Sequence, residues 1–263
     1  MSYISIKNLN FGYDKKRIFN DININIEKGS LVALTSSNSS GKTSLLNIIY
    51  GNIITERTIF INNVELNQNN VENFQRKVTF FTPCIKFYSK TVLDELLLEL
   101  GADNIINKNK IKKILQEFNM IKYIDKSPLC LSYIETQKLN LVKAILKKSE
   151  ILLIDNIFSY FDKYSKIEFI GLIKKYQIDN GLTVVYATND LNDIVFCDKV
   201  IMINSAHVLY DGPVDKIYLN EKLLKESKIN IPVLNELMDK LKLYDIINEN
   251  VCTINEMVDE ICK

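Results

Sequence analysis

Gly41, Lys42 and Thr43 stand where the apolar run Leu31–Leu34 gives way to small residues and then to a helical pattern. Those residue types at a strand-to-helix junction suit the binding of phosphate. Backbone N–H groups cradle the anion, the lysine reaches the outer phosphates and the threonine hydroxyl meets Mg²⁺. The full spacing asks for glycine, four residues, then Gly-Lys-Ser/Thr, and Ser36 occupies the first glycine position. Ser36, Asn38, Ser39, Ser40, Gly41, Lys42, Thr43 and Ser44 are therefore the candidate phosphate-binding residues. Such a loop needs a second acid. Asp155 closes the apolar run Ile151–Ile154, and a carboxylate at the carboxyl end of a strand can hold Mg²⁺ through water. Thr43 and Asp155 form the candidate metal pair; the plainer role for Asp155 is a strand-end cap.

The elements that must position these groups are read from periodicity. Residues 3–8 and 22–26 alternate as strands, with Phe11-Gly12-Tyr13 expected as a turn carrying exposed aromatics. The strand at 31–35 leads through the loop into a helix with Leu45, Leu46, Ile48 and Ile49, which Gly51 ends. A short hairpin is expected over 57–65 and a strand over 78–81. From Thr91 to Lys148 the period turns helical, so 84–145 reads as a helical insertion. Strands return at 151–155 and 183–187 around a helix at about 164–178, then at 199–203 and 206–210. Continuous apolar strands alternating with helices argue a parallel sheet covered on both faces. After Asp211-Gly212-Pro213 the chain reads as polar helix, with apolar stripes in 232–241 and 253–261.

At 263 residues the chain can bury a substantial core, and its 47% apolar and 25% charged content is ordinary for a globular protein. A net charge of +1 gives no electrostatic reason to expect nucleic acid. Cys84, Cys130, Cys197, Cys252 and Cys262 are scattered, with no C-x-x-C pair and the single histidine His207, which argues against zinc and for free thiols. The N-terminus lacks a signal-peptide apolar region, and no apolar run approaches the roughly 20 residues that span a bilayer.

Read together, several segments resemble the ATP-binding subunits of ABC transporters. Phe11-Gly12-Tyr13 resembles the family's aromatic loop, with Tyr13 placed to stack on adenine. Ser36 to Ser44 stands for Gly-Pro-Asn-Gly-Ser-Gly-Lys-Ser-Thr. Phe80-Phe81-Thr82-Pro83, followed by Thr91-Val92, stands for Phe-Gln-Asn-Pro. Leu131-Ser132-Tyr133-Ile134-Glu135 stands for the Leu-Ser-Gly-Gly-Gln signature. Ile154-Asp155-Asn156 stands for the acidic strand end and the catalytic Glu, Ser159–Asp162 for the D-loop, and Asn189 for the switch His. The tail, through Ile231-Pro232-Val233-Leu234 and Thr253-Ile254-Asn255-Glu256, is similar to the A components of energy-coupling factor (ECF) transporters.

The resemblance implies an α/β P-loop fold. An ABC ATP-binding domain would span 1–216, with an N-terminal β-subdomain and a helical subdomain at about 84–145; a C-terminal helical extension would span 217–263. It also implies ATP and Mg²⁺ as ligands, a second ABC ATPase as heterodimer partner, and transmembrane T and substrate-binding S components. The place of work would be peripheral, on the cytoplasmic face of the cell membrane, in uptake of a vitamin or metal ion. A groove beside the leucine stripe 92–100 would receive a helix of the membrane partner. Ser132 and Glu135 would contact the partner's nucleotide.

The departures fall on the hydrolytic groups. Asn156, Asn189 and Phe81 replace the usual Glu, His and Gln, and Asn cannot accept a proton at neutral pH. A positioned general base is worth roughly 10²–10⁴ in rate, so hydrolysis by this site is expected to be negligible. Serines at glycine positions 36 and 39 are expected to strain the loop and weaken ATP binding. Plainer roles stand beside these: Ser132-x-x-Glu135 and Ser165-x-x-Glu168 as helix capping boxes, Tyr13 as a surface aromatic, Phe80-Phe81 as core, and His207 as solvated. Two alternatives remain at this point, a nucleotide-free pseudo-ATPase scaffold and a soluble ABC ATPase outside transport.

Overall fold

The computed structural model describes residues 2–14, 16–37, 40–101, 105–218, 237, 241, 244 and 254–261. Two sheets form its frame. Strands β1 (Ser2–Tyr13), β2 (Lys16–Glu27), β4 (Ile59–Ile61) and β5 (Val64–Glu65) make an antiparallel sheet in the order β2-β1-β4-β5. Strands β3 (Leu31–Thr35), β6 (Val78–Phe81), β7 (Ile151–Asp155), β8 (Thr183–Thr188), β9 (Lys199–Asn204) and β10 (His207–Pro213) make the second, in the order β10-β9-β3-β8-β7-β6. Its first five strands in sequence pair in parallel, and β10 closes one edge antiparallel.

The apolar runs of β3, β7 and β8 are buried at every residue because both faces of this sheet are covered. Leu31 and Ala33 enter one core with helices α3 (Val92–Leu100), α4 (Ile105–Glu117), α5 (Tyr133–Lys147) and α6 (Lys163–Asn180). Val32 and Leu34, pointing the other way, enter a second core with α1 (Lys42–Tyr50) and the antiparallel sheet. The parallel register puts Thr35 beside Thr188 and Asp155 beside Ala187, so the ends of β3, β7 and β8 share one edge.

Most of the expected elements are present, and some differ in extent. Phe11-Gly12-Tyr13 is not a turn: it continues β1, with Phe11 opposite Phe19 and Tyr13 opposite Lys16. Asp211-Gly212-Pro213 likewise belongs to β10, an edge strand in which a proline costs no ladder hydrogen bond. Ser165 does not cap α6. That helix begins at Lys163, capped by Asp162, whose carboxylate accepts from the N–H groups of Tyr164 and Ser165. The helix α2 (Val71–Gln75) was not foreseen, since at five residues, with only Val71 and Phe74 half-buried against the core, it is too short to show a helical period. Beyond α7 (Val214–Tyr218), α8 (Ile254–Ile261) falls within the expected 253–261 segment. The expected 232–241 stripe lies outside the described residues except for 237 and 241. Among the described residues no helix is long and apolar enough to cross a membrane.

Candidate functional site

The site is built at the shared edge of the parallel strands. The loop after β3 turns into α1 at Gly41, whose φ of 101° is left-handed. A Cβ there would meet Ile18 Cγ2 at 2.5 Å and Phe19 Cζ at 2.9 Å, so only glycine fits under the antiparallel sheet. Ser36, by contrast, is not among the residues of positive φ. The backbone strain expected from a serine at this glycine position is therefore absent, because the chain here does not take the left-handed conformation. Asn38 and Ser39 lie outside the described residues.

Lys42 turns into its own loop and is only 8% exposed. Its Nζ donates to Ser36 O at 3.0 Å, Ser36 Oγ at 2.8 Å and Ser37 O at 3.2 Å. Burial pushes the ammonium pKa down to about 8, against the attraction of the Asp155 carboxylate. Thr43 Oγ1 donates to Asp155 Oδ1 at 3.0 Å. Burial raises the Asp155 pKa, opposed by the Thr43 hydrogen bond and the Lys42 charge. A hydroxyl and a carboxylate held together beside a helix N-terminus fit a Mg²⁺ ion that keeps several of its waters. The residues to hold it are Thr43 and Asp155, and the ion's chemistry there would be neutralisation of phosphate charge.

A cleft of about 340 Å³ joins Gly41–Ser44, Asp155 and Asn156 with Tyr13 and Asn189. Tyr13 is 50% exposed; its ring packs edge-on against Phe11, and its hydroxyl lies 3.3 Å from Ser44 Oγ. Half of the Tyr13 side chain thus stays exposed beside the cleft. Asn156 sits in the left-handed region at φ 49°, and its Oδ1 accepts from Ser159 Oγ at 2.9 Å. Asn189 follows β8 directly and lines the cleft.

Besides Ser36, which is buried against Lys42 and does not line the cleft, three sequence-predicted residues lie elsewhere. Phe81 is fully buried in the core beneath α3 and α5 and does not line the cleft. Ser132 and Glu135 stand at the start of α5, where they form the expected capping box. Glu135 Oε2 accepts the Ser132 N–H at 2.9 Å and the Ser132 hydroxyl at 2.9 Å, while the Tyr123 hydroxyl binds Glu135 Oε1. Burial would raise the Glu135 pKa, but these hydrogen bonds outweigh it and hold the carboxyl below its usual range. Tyr133, where the family carries glycine, donates to Ile157 O at 3.2 Å and packs on Tyr160.

Sequence reasoning missed Ile18, which lines the cleft from β2, and the carbonyl of Ser37 as a lysine partner. Neither has a spacing signal: Ile18 depends on how the antiparallel sheet crosses the start of α1, and the Ser37 carbonyl on which way the Lys42 side chain turns.

A loop of P-loop sequence between β3 and α1, an acidic strand end on β7 and an antiparallel sheet bearing an exposed tyrosine define a P-loop nucleotide-binding domain of the ABC type. The sequence matches the ABC transporter family over residues 19–159, and the chain belongs to that family. The energy-coupling factor transporter ATP-binding protein EcfA1 of Mycoplasma mobile is 28% identical, over 99% of this chain and 96% of its own length. The protein of the same name from Lactobacillus acidophilus is 26% identical, again over 99% and 96%. Among solved structures, cbiO1 of Clostridium perfringens, described as part of the ABC transporter complex cbiONQ, has a TM-score of 0.75. At 19% identity it covers 90% of this chain and 99% of its own, a likeness of fold.

Proposed function

We propose that this chain is the ATP-binding A component of an ECF-type importer for a vitamin or metal ion. It binds Mg²⁺-ATP weakly, hydrolyses it negligibly and supports a competent partner ATPase in a heterodimer. The observation that carries the reading is the chemistry of the cleft. Lys42, Thr43 and Asp155 are assembled to hold a nucleotide, yet Asp155 is the only carboxylate among the described residues that line it, and it is engaged by Thr43. Asn156 and Asn189 supply no base.

The names of the full-length relatives support the ECF assignment. The membrane partner's helix would enter the groove of about 330 Å³ beside β6 and α5, where Tyr50, Phe80 and Asn140 meet Glu99, Lys143 and Lys147. The subunit then sits peripherally on the cytoplasmic face, beside T and S components. A second reading, a scaffold that takes no nucleotide, is favoured by one observation: Lys42 is already satisfied by its own loop.

The test is co-expression with the neighbouring ATPase and transmembrane genes, followed by ATPase assay of complexes with each site disabled in turn. Activity is expected to vanish when the partner's base is removed and to persist when Lys42 is replaced. Full turnover from this chain's own site would sink the proposal, and equilibrium binding of labelled ATP separates the two readings.

A further inference from the structure

Ser36 fills the first glycine position of the phosphate loop, and its hydroxyl is engaged inside that loop. Ser36 Oγ donates to Ser37 O at 3.2 Å, accepts from Lys42 Nζ at 2.8 Å and accepts from the Ser40 hydroxyl. One proton to give and two lone pairs to fill are the whole capacity of a serine hydroxyl. Lys42 is saturated in the same way: its three ammonium protons go to Ser36 Oγ, Ser36 O and Ser37 O. Ser40 Oγ lies within reach of both Ser36 Oγ and Ser37 O, and its one proton serves one of them at a time. Ser36 is 1% exposed, so water does not compete for these bonds.

We propose that Ser36 sets the nucleotide affinity of this site: its hydroxyl clamps the Lys42 ammonium within its own loop, and a nucleoside triphosphate must break that clamp to reach the lysine. This rests on the reading of the cleft as a nucleotide site. A glycine at this position leaves Lys42 with backbone carbonyls alone. The serine adds a charge-assisted hydrogen bond, and a phosphate that draws the ammonium outward has to break it. Stabilisation of the free state alone is subtracted from the binding free energy. The same hydroxyl acting as a phosphate donor would have to release Ser37 O, and that role predicts the opposite sign. The clamp therefore makes the loss of a side-chain hydrogen bond tighten binding.

Ser36→Ala tests this, because the backbone at Ser36 does not take a positive φ and needs no glycine. The full chain is used throughout, with Ser36→Gly as the second variant. In nucleotide-free protein the ¹⁵N-labelled side-chain ammonium of Lys42, assigned by its loss in Lys42→Arg, is observed by NMR. Its signal is expected to shift and to exchange faster with water in Ser36→Ala. The Mg²⁺-ATP dissociation constant, measured by calorimetry, is expected to fall about tenfold, equivalent to about 1.4 kcal/mol. An ammonium signal unmoved by Ser36→Ala overturns the clamp, and so does unchanged or weaker binding by both variants. If wild type and both variants all fail to bind at millimolar nucleotide, the nucleotide reading falls with it. If wild type binds and the variants bind no better, the clamp alone fails.

Discussion

Thr43 Oγ1 donates to Asp155 Oδ1 at 3.0 Å, joining the first turn of α1 to the end of β7. The contact holds a carboxylate where burial opposes its charge. The folded pKa of Asp155 lies above its unfolded value, so its stabilising contribution is present at acid pH and lost as pH rises through the raised value. At neutral pH the ionised group is a net cost. Asp155→Asn keeps the acceptor for Thr43 and removes that cost. The nucleotide-free variant is expected to melt higher than wild type at pH 7 while losing Mg²⁺-dependent nucleotide binding. A lower melting temperature at pH 7 would refute the burial argument.

Lys42 gives a pH dependence of the opposite kind. Its ammonium pKa is pushed from 10.5 to about 8, so the fold disfavours the charged form below about 8 and the penalty is relieved as pH rises toward 10.5. Bound phosphate favours the ammonium. Nucleotide affinity is therefore expected to fall as pH rises past about 8, by up to about tenfold per pH unit. Calorimetry between about pH 7 and 9.5 should show proton uptake on binding at the alkaline end. A flat affinity over that range, with wild-type binding intact, would mean that Lys42 does not contact the phosphates.

Gly41→Ala should be disruptive for two reasons that add. The left-handed φ of 101° costs an L-residue about 1–2 kcal/mol, and the new methyl group meets Ile18 and the ring of Phe19 inside a packed core. A loss of about 2–4 kcal/mol is expected in urea unfolding. Gly101→Ala, also left-handed at φ 68° but with nothing within 4 Å of an added Cβ, carries only the first penalty and serves as the control.

Glu95 ties the helical subdomain together from within. It is fully buried, yet Lys143 donates to its Oε1 at 2.7 Å, and the Tyr88 and Ser89 N–H groups bind its Oε2 at 3.0 and 2.9 Å. Burial alone would raise its pKa, but these partners more than offset it and the pKa is lowered. Its contribution to stability is thus present above the unfolded pKa and is lost as pH falls through the lowered value. Glu95→Ala leaves Lys143 with Glu99 alone, at 3.4 Å, and the Tyr88 and Ser89 N–H groups without their acceptor, and should cost about 3–5 kcal/mol. Glu95→Leu, matched in size and apolar, should cost less in the double variant with Lys143→Met than alone, which a double-mutant cycle measures.

These contrasts show what the amino-acid order carried and what it did not. Strands β3 and β7 are four-residue apolar runs closed by Thr35 and Asp155 and buried at every residue, so their place in the sheet was legible residue by residue. Gly51 ended α1 as read, with a left-handed φ of 86°. Asp162 was missed as a cap because Ser165 and Glu168 match the capping pattern; Glu168 instead pairs with Lys138 at 2.7 Å. Lys42, Thr43 and Asp155 were legible because a phosphate loop is a local motif followed by one acidic strand end. The Ser36–Lys42 bond was not, since it depends on which way a long side chain turns within its own loop.

The same distinction limits how far hydrolysis can be restored. Asn156→Glu returns a base, worth roughly 10²–10⁴ in rate when well placed, but at φ 49° asparagine is the more comfortable residue. Asn189→His can be added without touching the core, because Asn189 lines the cleft. Phe81 is different. It is fully buried among helices α3 and α5, so Phe81→Gln would exchange an aromatic ring for an amide in an apolar cluster, at about 2–5 kcal/mol. The double variant Asn156→Glu/Asn189→His is therefore expected to hydrolyse ATP faster than wild type, yet at least about tenfold slower than a cassette carrying all three groups. The triple variant should lose stability before it gains rate. Single-turnover hydrolysis in a complex whose partner lacks its own base isolates this site. If Asn156→Glu alone reached the rate of a competent cassette, the losses at 81 and 189 would carry no functional weight, and the subunit would be one substitution away from an active enzyme.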